Sequence, residues 1–210
     1  MAAFLKKNKI NDLVRFFILA DLMVFSGWGL IDPLFSIFII EKIPGATLIT
    51  VGISTALYLV SRALIQLPIA HFIDATKNEK DDFLVMIFGL LVISGTSLAF
   101  IFVANIPQLF LLSCLRAIAF GMYNAGWYGI FARHLDKGKE AFDWSLDNSI
   151  IALSTGVSGL ISGIIAETLG FSTLFIICSA LSLLSAAILF YVPRIIFPNR
   201  SKKDIFLPRR

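Results

Sequence analysis

The sequence predicts an all-α integral membrane protein of six transmembrane helices with both termini in the cytoplasm. Three observations predict it. Of the 210 residues, 58% are hydrophobic and only 15% are charged, whereas a soluble domain is about a quarter charged. The charges sit in short clusters that divide the chain into six long apolar runs. The lysines and arginines fall almost entirely on one set of alternate connections. A helix that crosses the ~30 Å hydrocarbon core at ~1.5 Å per residue needs about 20 apolar residues. With no water there to satisfy the backbone, each run closes its hydrogen bonds within a helix.

The first run covers residues 14–40, behind Lys6, Lys7 and Lys9. It exceeds the ~7–15 residue apolar region of a cleaved signal and has no small-residue cleavage site after it, so it reads as a helix that stays. Asp32–Pro33 is an expected kink, because proline removes a ladder donor. Glu41 to Ala46 carries a Pro-Gly turn signal. It leads into the second run, 47–73, with a further kink expected at Pro68. The segment from Asp74 to Asp82 is densely charged and precedes the third run, 83–103. Ala104 to Pro107 is a tight polar turn before the fourth, 108–131. Arg133 to Trp144 is polar, with a short surface helix expected within it. Gly170 separates the fifth run, 146–169, from the sixth, 171–192. Residues 1–192 thus form one transmembrane domain. Residues 193–210 form a basic cytoplasmic tail with three prolines, expected to be extended or partly disordered.

Orientation follows from the basic residues. The N-terminal segment, the second-to-third connection, the fourth-to-fifth connection and the tail hold fifteen of the eighteen lysines and arginines. The opposite side has only Lys42, and Arg62 and Arg116 lie inside spans. This asymmetry places both termini in the cytoplasm of a cell (inner or plasma) membrane protein. The net charge of +4 is thereby explained by orientation beside lipid, and nucleic-acid binding is a poor explanation for it. Cys114 and Cys178 lie inside apolar runs and read as small packed thiols, too few for a disulfide framework or thiolate metal site. No HExxH pair, GxSxG elbow or phosphate-binding glycine loop is present, so no enzyme, metal or cofactor chemistry is expected.

Chemistry concentrates at ionisable groups within apolar runs. An intramembrane charge costs at least ~2.5–3.5 kcal/mol and therefore faces a cavity or a partner. Four groups qualify: Asp21, Asp32, Arg62 and Arg116. Counted along their helices, Asp32 and Arg116 both lie ~12 Å below the outer surface, so they are expected to pair if the first and fourth helices are neighbours. Arg62 and Asp21 lie ~22 and ~28 Å from that surface and suit a second, looser pair. One reading makes Asp32 a proton or cation site tuned by Arg116, because low dielectric favours the protonated acid and the arginine favours release. The alternative is a static bridge that fixes helix register. Tyr58 and Gln66 in the second run, and Tyr123 and Asn124 two turns after Arg116, are candidate cavity residues. Trp127 and Tyr128 read first as an interfacial aromatic belt. Gly156, Gly159 and Gly163, with Thr155, form a small face for close helix packing. His71 and His134 read as surface or interface residues at helix ends.

Four segments together resemble the N-terminal half of a major facilitator superfamily transporter, over nearly the whole chain. They are Gly29 to Pro33 (GLIDP) in the first helix, Gln66 to Asp74 (QLPIAHFID) closing the second, Leu115–Arg116 through Gly121 in the fourth, and Gly159 and Gly163 followed by Gly170–Phe171. The pattern departs from the family's at Ala70, which replaces a loop glycine, at Asn78 and Glu79, which stand where positive charge is usual, and at Leu160, which replaces a proline. The resemblance implies alternating access around a cavity lined by the first and fourth helices, carrying a small-molecule solute. It also implies that Asp74 latches one state against a helix N-terminus; in a dimer this would lie near the partner copy's fifth helix at Asp147, with Ser145 as candidate cap. Such transporters have two six-helix halves related about the membrane normal. Self-association as a parallel homodimer would supply the second half; the alternatives are a fragment needing another half or a non-transporting membrane subunit. Besides the solute and a second copy, membrane lipids are the expected partners.

Overall fold

The computed structural model describes residues 11–76 and 79–191. Lys6, Lys7, Lys9, Lys77, Asn78 and the 193–210 tail lie outside the described residues. Among those described, every regular element is helical, and six helices are long and apolar enough to cross a membrane. The first span is composite: α1 (Asp12–Ile31), one 3₁₀ turn (Asp32–Leu34) and α2 (Phe35–Lys42). The others are α3 (Leu48–Thr76), α4 (Glu79–Ala99), α5 (Ile106–Arg133), α6 (Glu140–Leu169) and α7 (Phe171–Leu189). Their lengths differ: the first, second, fourth and fifth spans run 31, 28, 28 and 30 residues, the third and sixth only 22 and 19.

Local chemistry explains the breaks. Asn11 caps α1 by accepting from the Leu13 backbone N–H at 3.1 Å. Pro33 has no N–H to give, and the ladder tightens into the 3₁₀ turn there. Pro68, by contrast, is accommodated inside a continuous α3. Gly45 turns the chain between the first two spans at φ +76°, a conformation that glycine adopts without steric cost. At α5 the Asn105 side chain accepts from Gln108 N–H at 3.0 Å while Gln108 Oε1 accepts from Ala104 N–H at 2.9 Å, a reciprocal cap. The polar segment after Arg133 forms no separate surface helix. Residues 134–139 are a turn, and Glu140 already begins the fifth span. The reason is that Asp143, expected in that surface segment, is buried and accepts from the Asp136 backbone N–H at 3.0 Å, which seats the new helix against the turn.

The helices form two interlocked groups of three. The fourth span packs on the second and third; the first packs on the fifth and sixth; the third and sixth join the groups at the back. Exchanging first with fourth, second with fifth and third with sixth maps this pattern onto itself. Paired spans run in opposite directions, so the arrangement is an inverted three-plus-three repeat, whose trace in the sequence is too weak to read. The first and fourth spans barely touch by backbone and meet instead through side chains.

Packing is tightest where backbones approach. A Cβ on Gly126 would stand 2.5 Å from the Asp82 carbonyl oxygen, and one on Gly89 2.8 Å from the Ala119 oxygen and Tyr123 nitrogen. The third and fourth spans therefore touch with no side chain between them. Serines bridge other seams: Ser54–Ser113 at 2.8 Å, Ser94–Ser179 at 2.7 Å and Ser185 donating to the Ala20 carbonyl at 2.9 Å. Each contributes about 0.6 kcal/mol in a bilayer. Aromatic clusters close both ends. Phe35, Phe38, Phe100 and Phe175 stack at 4.9–6.1 Å at one end, and Trp127, Phe131 and Trp144 at 4.2–5.7 Å at the other. At that second end Arg133 pairs with Asp82 and, at 3.6 Å, with Glu79, tying the fourth span to the third.

Leucine at Gly89 or Gly126 is expected to destabilise the bundle by about 3 kcal/mol or more, because a backbone atom cannot swing aside. Alanine at Gly95, where nothing lies within 4 Å, should leave thermal stability of the detergent-purified protein unchanged. Equal melting temperatures for all three variants would contradict this packing.

Candidate functional site

Two polar centres lie between the first and fourth spans. The outer one is built on Arg116. Ten residues separate Asp32 from Lys42 at the end of the first span, and ten separate Arg116 from Ile106 at the start of the fourth. Both therefore sit ~15 Å below that surface. Arg116 Nη2 lies 3.8 Å from Asp32 Oδ1. The guanidinium is held chiefly by rings: 4.0 Å from the Tyr58 centroid, 4.2 Å from Trp28 and 5.2 Å from Phe35. Desolvated cation–π contacts of this kind contribute about 2 kcal/mol. Arg116 Nε and Nη1 have no hydrogen-bond partner. The Arg116 side chain is 10% exposed, but that of Asp32 is 56% exposed. The arginine is enclosed by rings, whereas the carboxylate is more than half exposed.

Arg62, one turn along from Tyr58, donates to the Tyr58 hydroxyl at 3.4 Å and lies 6.0 Å from the Phe120 centroid. The expected Asp21–Arg62 pair is not formed. Comparable depth says nothing about the direction in which two side chains point, and Asp21 is turned to the fourth and fifth spans. There it accepts a hydrogen bond from the Tyr123 hydroxyl, and the Asp147 carboxyl is its electrostatic neighbour.

Asp21 and Asp147 line a cavity of about 350 Å³ with Phe25, Asn124, Trp127, Tyr128 and the polar rim residue Asn148. Trp144 closes one wall. Asp21 is nine residues into α1, Asp147 seven into α6 and Asn124 nine from the end of α5, so all three lie ~11–14 Å below the Asn11 end of the bundle. Asp147 Oδ1, Asn124 Nδ2 and Trp127 Nε1 are buried without hydrogen-bond partners. Trp127 and Tyr128 are thus cavity walls in addition to any belt role.

The remaining residues singled out from the sequence fall as follows. Gln66 is half-buried one turn beyond Arg62, and Asp74 is exposed at the end of the second span. Asp147 is buried within α6 and Ser145 is one turn inside it, so the N-cap is Lys139 and not Ser145. Gly159 approaches Pro33, and Gly29 meets Thr155 and Ser158, which makes the first–fifth seam tight. Gly156 and Gly163 face open space instead. The sequence reading missed Trp28 and Phe35 as platforms for Arg116, although Trp28 precedes Asp32 by one helical turn and so shares its face. It missed Asp147 in the cavity because the fifth span was started at 146. Starting it at Glu140 gives Asp147 the depth of Asp21.

Comparison with known proteins agrees with this architecture. No curated protein matches the sequence significantly. The family profile described as Major Facilitator Superfamily matches residues 17–207. That match spans all six helices, and the chain, a six-helix unit of that fold, belongs to the major facilitator superfamily of membrane transporters.

Proposed function

We propose that the protein is a secondary active transporter of a small solute, working by alternating access and coupled to protons, with two six-helix units assembled as a parallel homodimer. One observation carries this reading: Asp32 stands ~15 Å inside the membrane-spanning part, more than half exposed, facing a clamped arginine. A carboxylate facing hydrocarbon at that depth costs ~2.5–3.5 kcal/mol or more. It is retained where water or another protein unit covers it. A water-filled path between two units meets that need and gives protons access to Asp32.

Coupling then rests on the asymmetry of the pair. Ionised Asp32 is attracted to Arg116; protonated Asp32 is not, while the rings keep Arg116 in place. Gain or loss of one proton therefore changes one contact between the first and fourth spans, which are otherwise joined only by side chains. Tyr58 and Arg62 continue the polar path inward, with Gln66 beyond them. A second unit has room on the open faces of the second and fifth spans, where nothing lies within 4 Å of an added Cβ at Gly52, Gly156 or Gly163. Asp74, exposed at the end of the second span, is available as a latch to that unit.

Asp32→Asn in proteoliposomes is expected to reduce flux driven by a pH gradient at least tenfold while leaving assembly intact, since Arg116 keeps its rings. Unchanged coupled flux would reject the proton role. Light scattering of the detergent-solubilised protein should give twice the 23.2 kDa chain mass. A monomer that transports would remove the dimer from the mechanism, and a stable complex with another protein and no flux alone would point to a non-transporting subunit.

A further inference from the structure

The cavity at the Asn11 end is chemically distinct from the Asp32–Arg116 centre. Its two carboxyls come from different helices, Asp21 on the first span and Asp147 on the fifth, and among the described residues no lysine, arginine or histidine lines it. The groups facing the acids are Tyr123, which donates to Asp21, and Tyr128 at the rim. Arg62 from the second span lies near enough to act on Tyr128, but it pairs with Tyr58 and not with either acid. The walls are π-faces: Phe25, Trp127, Tyr128 and Trp144. Both Asp147 and Asn124 are more than nine-tenths buried, and each has a polar atom without a partner. A pair of acids, aromatic side chains and unsatisfied acceptor and amide groups converge on one cavity.

We propose that this cavity binds an organic monocation, a protonated or quaternary amine carrying an aromatic ring, and that the Asp21–Asp147 pair exchanges one proton for it. Two buried carboxyls that line one cavity repel each other when both are charged, so without a cation the pair favours holding one proton and a net charge of −1. A bound monocation lets both acids ionise. The pair contributes −2, the ligand +1, and the site again carries −1, with one proton released to solvent. The charged nitrogen sits against the carboxyls and the ring faces, which attract cations through their quadrupoles. A cavity of about 350 Å³ lies within the size range of small-ligand pockets. Among the described residues an anion would meet two acids and no positive group in the cavity lining, so the site discriminates by charge.

The inference deepens the transport reading and rests on it for its role in a cycle, but its test is binding and does not involve flux. Phenyltrimethylammonium is the probe and benzenesulfonate the control of similar size and opposite charge. Calorimetry on the detergent-purified full chain should show the cation binding at least tenfold more tightly at pH 8 than at pH 5, with about one proton released per cation in weakly buffered solution, and no binding of the sulfonate. Asp147→Asn should weaken the cation at least tenfold and abolish proton release, and Asp147→Glu should retain both. The wild-type proton count stands even where the asparagine variant does not fold. Equal binding of cation and sulfonate, cation binding without proton release, or no cation binding at either pH would overturn the assignment. Cation binding lost with solute flux intact would remove this site alone; binding intact with no flux of any solute would remove the transport reading and leave the site.

Discussion

The structure depends on one constraint: a guanidinium held between helices in a bilayer must be compensated without water. Arg116 meets it mainly with the faces of Trp28, Phe35 and Tyr58 and only secondarily with Asp32. A buried ion pair with two fixed partners would resist separation, because removing one charge strands the other. Ring faces avoid that penalty. They hold the arginine whatever the state of the acid, so the acid is left able to respond. The position of the first span's 3₁₀ turn follows from the same requirement. Pro33 breaks the helix just past Asp32 and leaves that carboxylate on an exposed turn, where ladder geometry does not fix it.

The division of the bundle into rigid and yielding parts has an equally simple origin. The third and fourth spans touch backbone to backbone at Gly89 and Gly126, and the third and sixth are joined by buried serines. The second and fifth spans are buried on one side only, and the first and fourth meet through side chains across the polar centres. Contacts between side chains can be exchanged for others with little backbone motion, whereas glycine contacts cannot. The centres therefore lie where the fold yields most easily, beside a scaffold that yields least.

Much of this was legible in the sequence because membrane depth is a one-dimensional quantity. Turn signals stand at Gly45 and Asn105, and counting from the span ends beside them brings Asp32 and Arg116 to the same level. Depth does not give azimuth. The 3.6-residue period that usually reveals a buried face is faint when lipid and core are both apolar, so nothing in the sequence said that Asp21 turns toward Tyr123 and not Arg62. The acidic start of the fifth span was a different difficulty. Glu140 and Asp143 read as a surface segment and Asp147 as the first turn of the span, yet Asp143 and Asp147 are both buried within one helix. The order of contacts among helices, and so the inverted repeat, was beyond reach for the same reason as azimuth.

The unequal spans carry a last consequence. At ~1.5 Å per residue the third and sixth helices are ~29–33 Å long and match a typical hydrocarbon core, while the other four reach ~42–47 Å. The scaffold pair thus sets the thickness of bilayer in which the unit sits without strain, and the longer helices must tilt or project past it. A thicker membrane acts first on the two short helices, whose Phe100 packs on Phe35 beside Arg116, so lipid chain length becomes a mechanical input to the shape of the passage between the first and fourth spans.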